Sequence, residues 1–148
     1  MATVDVNLTL DAPIEAVFEH LVDHARYETF EGVRGSVLVR EGTDERNGEG
    51  AQRKITLAAT TLWEDIVGFA RPTLLEYKIV RARPPLVRHV LGRVALEDVG
   101  GQTKVRWTSE FYVRLPVVRR IIEPKLVKAF HTAFTSMLRE IERRVNKA

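Results

Sequence analysis

Four polar side chains stand among apolar neighbours on the predicted strands of this sequence, and they are the groups that could do chemistry. Arg53, Glu64, Tyr77 and Ser109 each share one face of an alternating strand with apolar residues. An enclosed carboxyl group or phenol can act as a general acid or base, because burial shifts its pKa. Glu64 and Tyr77 are therefore the candidate catalytic residues, and Arg53 and Ser109 are candidates for hydrogen bonds that orient a ligand.

The sequence leaves the orientation of Arg53 and Glu64 open. They could neutralise each other across neighbouring strands, or one could contact water in a cavity, because an unpaired buried charge is costly. A position at a strand end or on the outer face is an equally good interpretation. The phase of residues 62–70 is also undecided, because apolar residues fall on both faces of that strand.

Other kinds of reactive site find little support. The sequence contains no cysteine, which excludes disulfides, thiolate nucleophiles and cysteine-ligated metals. His20 and His24 lie one helical turn apart without a third ligand, so a solvated helix end is preferred over a metal site. No serine lies in a nucleophile elbow and no glycine-rich phosphate loop is found. We therefore expect neither a metal nor a cofactor.

A long amphipathic helix near the C-terminus is the element that must cover these groups. Its apolar residues recur at steps of three and four: Leu126, Phe130, Ala133, Phe134, Met137, Leu138, Ile141 and Val145. Pro124 lacks an N–H and predicts a break, with a short helix over 116–123 and the main helix after it.

Most of the chain before this helix alternates in the manner of β-strands. Residues 3–10 form the first strand, and Asp11 is predicted to cap the helix that follows, which ends near His24 to Arg26. Six more strands follow at 33–40, 51–60, 62–70, 74–81, 89–99 and 103–113. Alternation places His89 and Arg93 on the outer face of the sixth strand. Residues 82–87 are predicted to leave the sheet.

Hairpin-length connections make this sheet antiparallel. The sequence predicts one α+β domain spanning residues 1–148, in which a curved seven-stranded antiparallel sheet wraps around the long C-terminal helix, with short helices after the first strand.

Composition and charge distribution bear on location and partners. The formal net charge is +3, with an acidic N-terminal part and a basic C-terminal helix. A solvated helix face explains these charges better than nucleic-acid binding, so no nucleic-acid partner is expected. The sequence shows no signal peptide and no apolar run long enough to span a membrane. We expect a cytoplasmic monomer or homodimer.

Several short sequence phrases resemble those of a known family. They lie at residues 11–13, 50–53, 63–66, 71–72, 92–96 and 101–107. In this order they resemble the helix-grip fold of the START-like superfamily (Bet v 1-like proteins), and most of all its polyketide cyclase/dehydrase branch, the SRPBCC proteins. The resemblance covers essentially the whole chain.

The resemblance implies a deep apolar cavity between the sheet and the C-terminal helix, which relatives use to hold lipids, polyketides or aromatic compounds. The preferred hypothesis is therefore binding of a small hydrophobic ligand. The candidate wall residues are Leu57, Ile66, Tyr77, Trp107, Phe111, Phe130, Phe134 and Met137. The candidate polar contacts are Arg53, Glu64 and Ser109.

Two alternatives remain open. The first is a polyketide cyclase or dehydratase that uses Glu64 and Tyr77 as acid/base groups; the resemblance transfers no catalytic residue, because no single motif runs through the relatives. The second is an interaction protein similar to the ribosome-association and coenzyme Q-binding relatives. Its basic C-terminal helix would suit an RNA-rich or a membrane partner.

Overall fold

The computed structural model describes residues 1–147, except for the side chain of His24. Its elements, in chain order, are β1 (Ala2–Leu10), α1 (Ile14–Val22), a 3-10 helix (His24–Thr29), β2 (Val33–Arg40), β3 (Gln52–Leu57), β4 (Thr61–Ala70), β5 (Leu74–Arg83), β6 (Val87–Val99), β7 (Gln102–Val113) and α2 (Arg119–Lys147). Residues 82–87 were predicted to leave the sheet. In the structure β5 extends to Arg83 and β6 begins at Val87, so only residues 84–86 lie outside the strands.

The strands form one seven-stranded sheet in the order β1-β7-β6-β5-β4-β3-β2, and every pairing is antiparallel. β1 and β2 are the two edges. The helical segment between them carries the chain from one edge of the sheet to the other. α2 packs mainly on β1 and β7 and also meets α1. The predicted architecture, a curved antiparallel sheet around a long C-terminal helix, is confirmed.

β7 shows why the sheet has a buried face. Alternate residues Val105, Trp107, Ser109, Phe111 and Val113 are all buried, as their spacing predicts. The opposite face of the strand carries charged residues that are exposed or half-buried. The inner face of the sheet is thus apolar with few polar members.

Bulges change the phase of two strands. In β6 the register shifts between His89 and Leu91, so the prediction that His89 faces outward is wrong and its side chain is buried. In β4, Glu64 and Ile66 are buried, and a shift after Ile66 brings Phe69 against the same core. Alternation could not decide which face of residues 62–70 is buried, because the even-numbered residues face the core before this shift and the odd-numbered Phe69 faces it afterwards.

Two predicted helix boundaries are wrong. α2 runs continuously through Pro124, which is only its sixth residue. The amide that proline lacks would bond the Arg120 carbonyl near the helix start, where one missing bond costs little. α1 begins after Pro13, and no side chain caps it. Asp11 instead donates its backbone N–H to Glu142 of α2 at 2.7 Å.

Candidate ligand-binding site between the sheet and α2

A buried ion pair lies on the inner face of β3 and β4. Arg53 and Glu64 are direct partners in the register, with Nε and Oε1 2.8 Å apart, and their side chains are 6% and 8% exposed. The Arg53 guanidinium also lies 4.7 Å from the centre of the Tyr27 ring and donates to the Leu21 carbonyl at 3.4 Å. Each charge is therefore compensated within the site, as a buried pair requires.

The Tyr77 phenol lies beside this pair and is oriented by a neighbouring strand. Its ring crosses Gly92 on β6, where a Cβ atom would overlap the ring. Trp107 Nε1 donates to the Tyr77 oxygen at 2.9 Å. Burial, and then the Glu64 carboxylate, hold the pKa of Tyr77 above its usual range.

The Tyr77 hydroxyl thus remains protonated at neutral pH and is a hydrogen-bond donor. Among the side chains and backbone groups that the structure describes, no acceptor receives this proton. A phenol that accepts one bond and still has a proton to donate can serve a ligand oxygen.

The His89 side chain links β6 to β5 beyond the point where the backbone hydrogen bonds between these two strands end. β5 and β6 pair only over residues 74–77 and 92–95. Beyond that, the Ile79 N–H donates to His89 Nδ1 at 3.0 Å, so Nε2 carries the proton and donates to Ser109 Oγ at 3.0 Å. Burial, with a smaller contribution from Lys78, lowers the pKa of His89 to about 4. The imidazole is therefore neutral at neutral pH.

The role of His89 was missed from the sequence, although a signal was present. Arg88 and Arg93 are five positions apart, and as charged residues both favour the outer face, where the structure has them exposed. Two outward residues at an odd separation require a bulge between them. That bulge places His89 inward beside Tyr77, with the two rings stacked at 5.5 Å.

Aromatic side chains from β7 and α2 meet directly. Trp107 stacks on Phe134 with the ring centres 4.1 Å apart, and Phe111 meets Phe130 edge-on at 5.5 Å. Trp107 and Phe111 are buried, whereas Phe130 and Phe134 are only half-buried. This side of the site therefore consists of aromatic rings in contact with each other, and the two rings on α2 are partly exposed to solvent.

The other predicted wall residues pack against the same core with fewer specific contacts. Ile66 is buried directly opposite Tyr77 in the register. Leu57 at the end of β3 and Met137 on α2 are half-buried and pack against the core cluster. Neither takes part in the aromatic and hydrogen-bonded contacts that join the other candidates.

Two cavities open to the surface among the described residues, and the first of them shares His89 with the candidate site. One, of about 240 Å³, lies where β5 and β6 separate, and Arg114 completes its lining. The other, of about 190 Å³, lies between the loop at residues 44–49 and the side chains of Phe69 and Arg71. Neither is lined by α2. Between the sheet and this helix, the Trp107 ring contacts Phe134 and the Phe111 ring contacts Phe130.

Within residues 1–147, no three His, Asp or Glu side chains are grouped as a metal site would require. His20 Nδ1 instead bonds the Ala16 carbonyl at 2.9 Å, and the side chain of His24 lies outside the described residues. No helix in that range has the length and apolarity needed to cross a membrane.

A curved antiparallel sheet that grips a long helix over an apolar inner face defines the helix-grip class of protein. The family model described as "Polyketide cyclase / dehydrase and lipid transport" matches residues 1–146. The chain belongs to this family, as its sequence phrases suggested.

Solved structures show the same fold over nearly the full chain. A START superfamily protein from Mycobacterium smegmatis is 14% identical with a TM-score of 0.79, covering 99% of each chain. Ara h 8.0201 is 18% identical with a TM-score of 0.78, covering 99% of this chain and 98% of that one. The Zhui aromatase/cyclase from a Streptomyces species is 21% identical with a TM-score of 0.74, covering 97% and 94%.

At these identities the likeness concerns the fold alone. A search of curated proteins finds no match. The function must therefore be argued from the side chains of this chain.

Proposed function

We propose that this protein binds a small hydrophobic ligand with an oxygen acceptor, between the inner face of the sheet and residues Leu126–Met137 of α2, here called the aromatic segment. The observation that carries the proposal is the Tyr77 hydroxyl. It is buried, protonated and lacks an acceptor among the described groups, and it lies next to stacked aromatic rings. A mostly apolar surface with a few convergent polar groups is the usual composition of a small-molecule site.

The half-exposed aromatic residues provide a way in. Phe130 and Phe134 are half-buried on α2, so their rings can change rotamer towards solvent, which would uncover the buried rings of Trp107 and Phe111 beneath them. Leu138 and Ile141, one to two turns further along, are fully buried and keep the helix in place. A ligand would then take over the contacts that these two rings make with Trp107 and Phe111.

The remaining polar groups have narrower roles. Arg53 and Glu64 are already paired with each other, so neither offers a free charge to a ligand. Their pair instead makes the β3–β4 part of the site polar. Ser109 Oγ accepts a hydrogen bond from His89 Nε2, which holds the serine side chain in place. Tyr77 and Ser109 each accept one bond and keep a hydroxyl proton, so these two hydroxyls would select a ligand oxygen such as a carbonyl or phenol.

Trp107 supplies the readout for a direct test. Trp63, the other tryptophan, lies half-buried between Lys54 and Arg81, so Trp63→Phe leaves Trp107 as the single tryptophan, which can be excited selectively over the tyrosines. We expect titration with apolar ligands that carry a carbonyl or phenolic oxygen to change this fluorescence saturably. Native mass spectrometry of the purified protein should show such compounds bound. A bare chain mass, with no response to any member of a panel of fatty acids, quinones and aromatic ketones, would contradict the proposal.

Matched variants separate the site from general packing. Tyr77→Phe removes the donor and keeps the ring, and we expect it to weaken ligand binding about tenfold. Phe134→Ala should weaken it similarly through lost contact area. Phe69→Ala removes a half-buried aromatic ring that packs on Phe18 instead, so it should leave affinity unchanged.

A second candidate function is a cyclase or dehydratase reaction on a polyketide-like substrate. The observation that favours it is the same protonated Tyr77 hydroxyl, with Glu64 buried nearby, because a general acid must hold its proton at neutral pH. Glu64→Gln should then retain ligand binding and lose turnover. If the wild-type protein binds aromatic ketones without converting them, the binding function stands and the enzymatic one fails.

A further inference from the structure

One end of the molecule carries a cluster of exposed apolar residues, here called the apolar tip. Leu86, Leu115, Val117 and Ile121 are 52%, 54%, 93% and 64% exposed. The Arg114 N–H donates to the Leu86 carbonyl at 2.9 Å, so the β5–β6 loop lies against the turn that leads into α2. Single exposed apolar residues are ordinary, but a contiguous group marks an interaction surface.

A set of unpaired cations lies next to this tip and is here called the basic rim. Lys78, Arg81, Arg88 and Arg114 line the cavity of about 240 Å³ where β5 and β6 separate, together with Pro85 of the β5–β6 loop and Val87 at the start of β6. All four are exposed, and none forms an ion pair with a described residue.

Acidic residues are scarce at this end. The cavity lining contains none. Glu123, on the first turns of α2, has a side chain only 13% exposed, and it accepts the Val113 N–H and pairs with Arg119. The Glu123 carboxylate, two positions after Ile121, is therefore already in use, and the basic rim forms no ion pair with a described residue.

We propose that this end of the protein docks on the surface of an anionic lipid bilayer. The apolar tip would enter the boundary between headgroups and acyl chains, while the basic rim would bind the lipid phosphates. A polyanion such as RNA would engage the rim but would gain nothing from four exposed aliphatic side chains. The combination of tip and rim is what identifies a membrane surface as the partner.

Vesicle co-sedimentation tests the proposal with the intact 148-residue chain. We expect binding to phosphatidylcholine vesicles that contain phosphatidylglycerol, weakening as salt is raised, and little binding to phosphatidylcholine alone. Val117→Ser combined with Ile121→Ser leaves the charge unchanged and should weaken binding by about tenfold or more. Arg88→Gln combined with Arg114→Gln should weaken it by a similar factor.

Two control variants match these changes elsewhere. Val99→Ser alters an exposed valine in the β6–β7 hairpin, and Arg46→Gln alters an exposed arginine in the β2–β3 loop; both should bind like wild type. All the altered side chains are exposed, so thermal melting should stay unchanged.

Absence of binding to anionic vesicles would overturn the proposal. So would binding that the rim variant abolishes and the tip variant leaves intact, because that result describes a general polyanion site. The tip and rim lie outside the proposed ligand site, so either outcome leaves the ligand-binding proposal to its own test.

Discussion

Two consecutive stretches of α2 share one apolar stripe but pack differently. In the aromatic segment, Phe130 and Phe134 are half-buried and pack on the core through ring contacts with Phe111 and Trp107. In Leu138–Asn146, here called the anchored segment, Leu138 and Ile141 are completely buried.

Polar contacts increase the difference. Glu142 accepts the Asp11 N–H at 2.7 Å, and Asn146 donates to the Asp11 carbonyl at 3.0 Å. Arg144 donates to the Thr29 carbonyl at 2.9 Å and lies 4.3 Å from the centre of the Phe30 ring. The anchored segment thus stabilises the fold, which leaves the aromatic segment able to change its contacts with a ligand.

The largest effect is expected where the sheet links the two regions, at the Arg53–Glu64 pair. Arg53 contacts Tyr27, which packs on Phe30 beside the anchored segment, while Glu64 influences Tyr77 on the aromatic side. Glu64→Leu leaves a buried cation without its partner and should lower the free energy of unfolding by about 3–5 kcal/mol. Urea unfolding measures this loss.

The double variant Arg53→Met with Glu64→Leu serves as the control, because it removes both charges and should recover most of the stability. Equal stability of the single and double variants would mean that the pair is solvated and does not link the two regions.

The same substitution at two leucines compares the segments directly. Leu138 is fully buried and Leu126 is half-buried on the same helix. Leu138→Ala should cost about 2–5 kcal/mol of unfolding free energy, and Leu126→Ala about 1 kcal/mol or less. Equal costs in urea unfolding would show that the two segments are packed alike.

The fold could be predicted from the sequence because strand alternation and helical spacing are local patterns. The difference between the two segments could not, because Phe130, Phe134, Leu138 and Ile141 satisfy the same spacing and only tertiary contacts distinguish them. The polar partners of the anchored segment come from residues more than a hundred positions away. His89 was misplaced because one bulge reverses the phase that alternation assumes.

The candidate site divides in the same way. Tyr77 and Trp107 lie on the inner face as strand alternation predicted, and Arg53 and Glu64 form there the ion pair that was one of the orientations the sequence left open. The bond between Tyr77 on β5 and Trp107 on β7 crosses β6 and has no local signal. The single domain, the cytoplasmic location, the oligomeric state and the absence of a nucleic-acid partner stay predictions.

Acidification should lower the free energy of unfolding through His89, whose ring stacks on Tyr77 in the candidate site. The pKa of His89 is about 4 in the folded protein, against 6.5 for an unperturbed histidine. Between these values the unfolded chain binds the proton and the folded chain does not, so stability falls as the pH falls from 6.5 towards 4.

The slope that His89 contributes should reach roughly 1.4 kcal/mol per pH unit. Unfolding free energies of wild type and His89→Gln, measured across this interval, isolate the contribution from that of the carboxylates. Curves that stay parallel would show that the imidazole is protonated or solvated in the folded state.

The smallest expected effect tests the polar contacts of the anchored segment. Asn146→Ala removes the bond to the Asp11 carbonyl and should cost about 1 kcal/mol, the usual net value of one hydrogen bond. Amide hydrogen exchange along α2 is the sharper measurement, because it reports each turn of the helix separately. Protection should fall in the anchored segment and stay unchanged over Leu126–Met137. Faster exchange in the aromatic segment would instead show that the anchored segment holds the aromatic rings against the sheet. A ligand that moves those rings would then have to loosen the anchored segment as well.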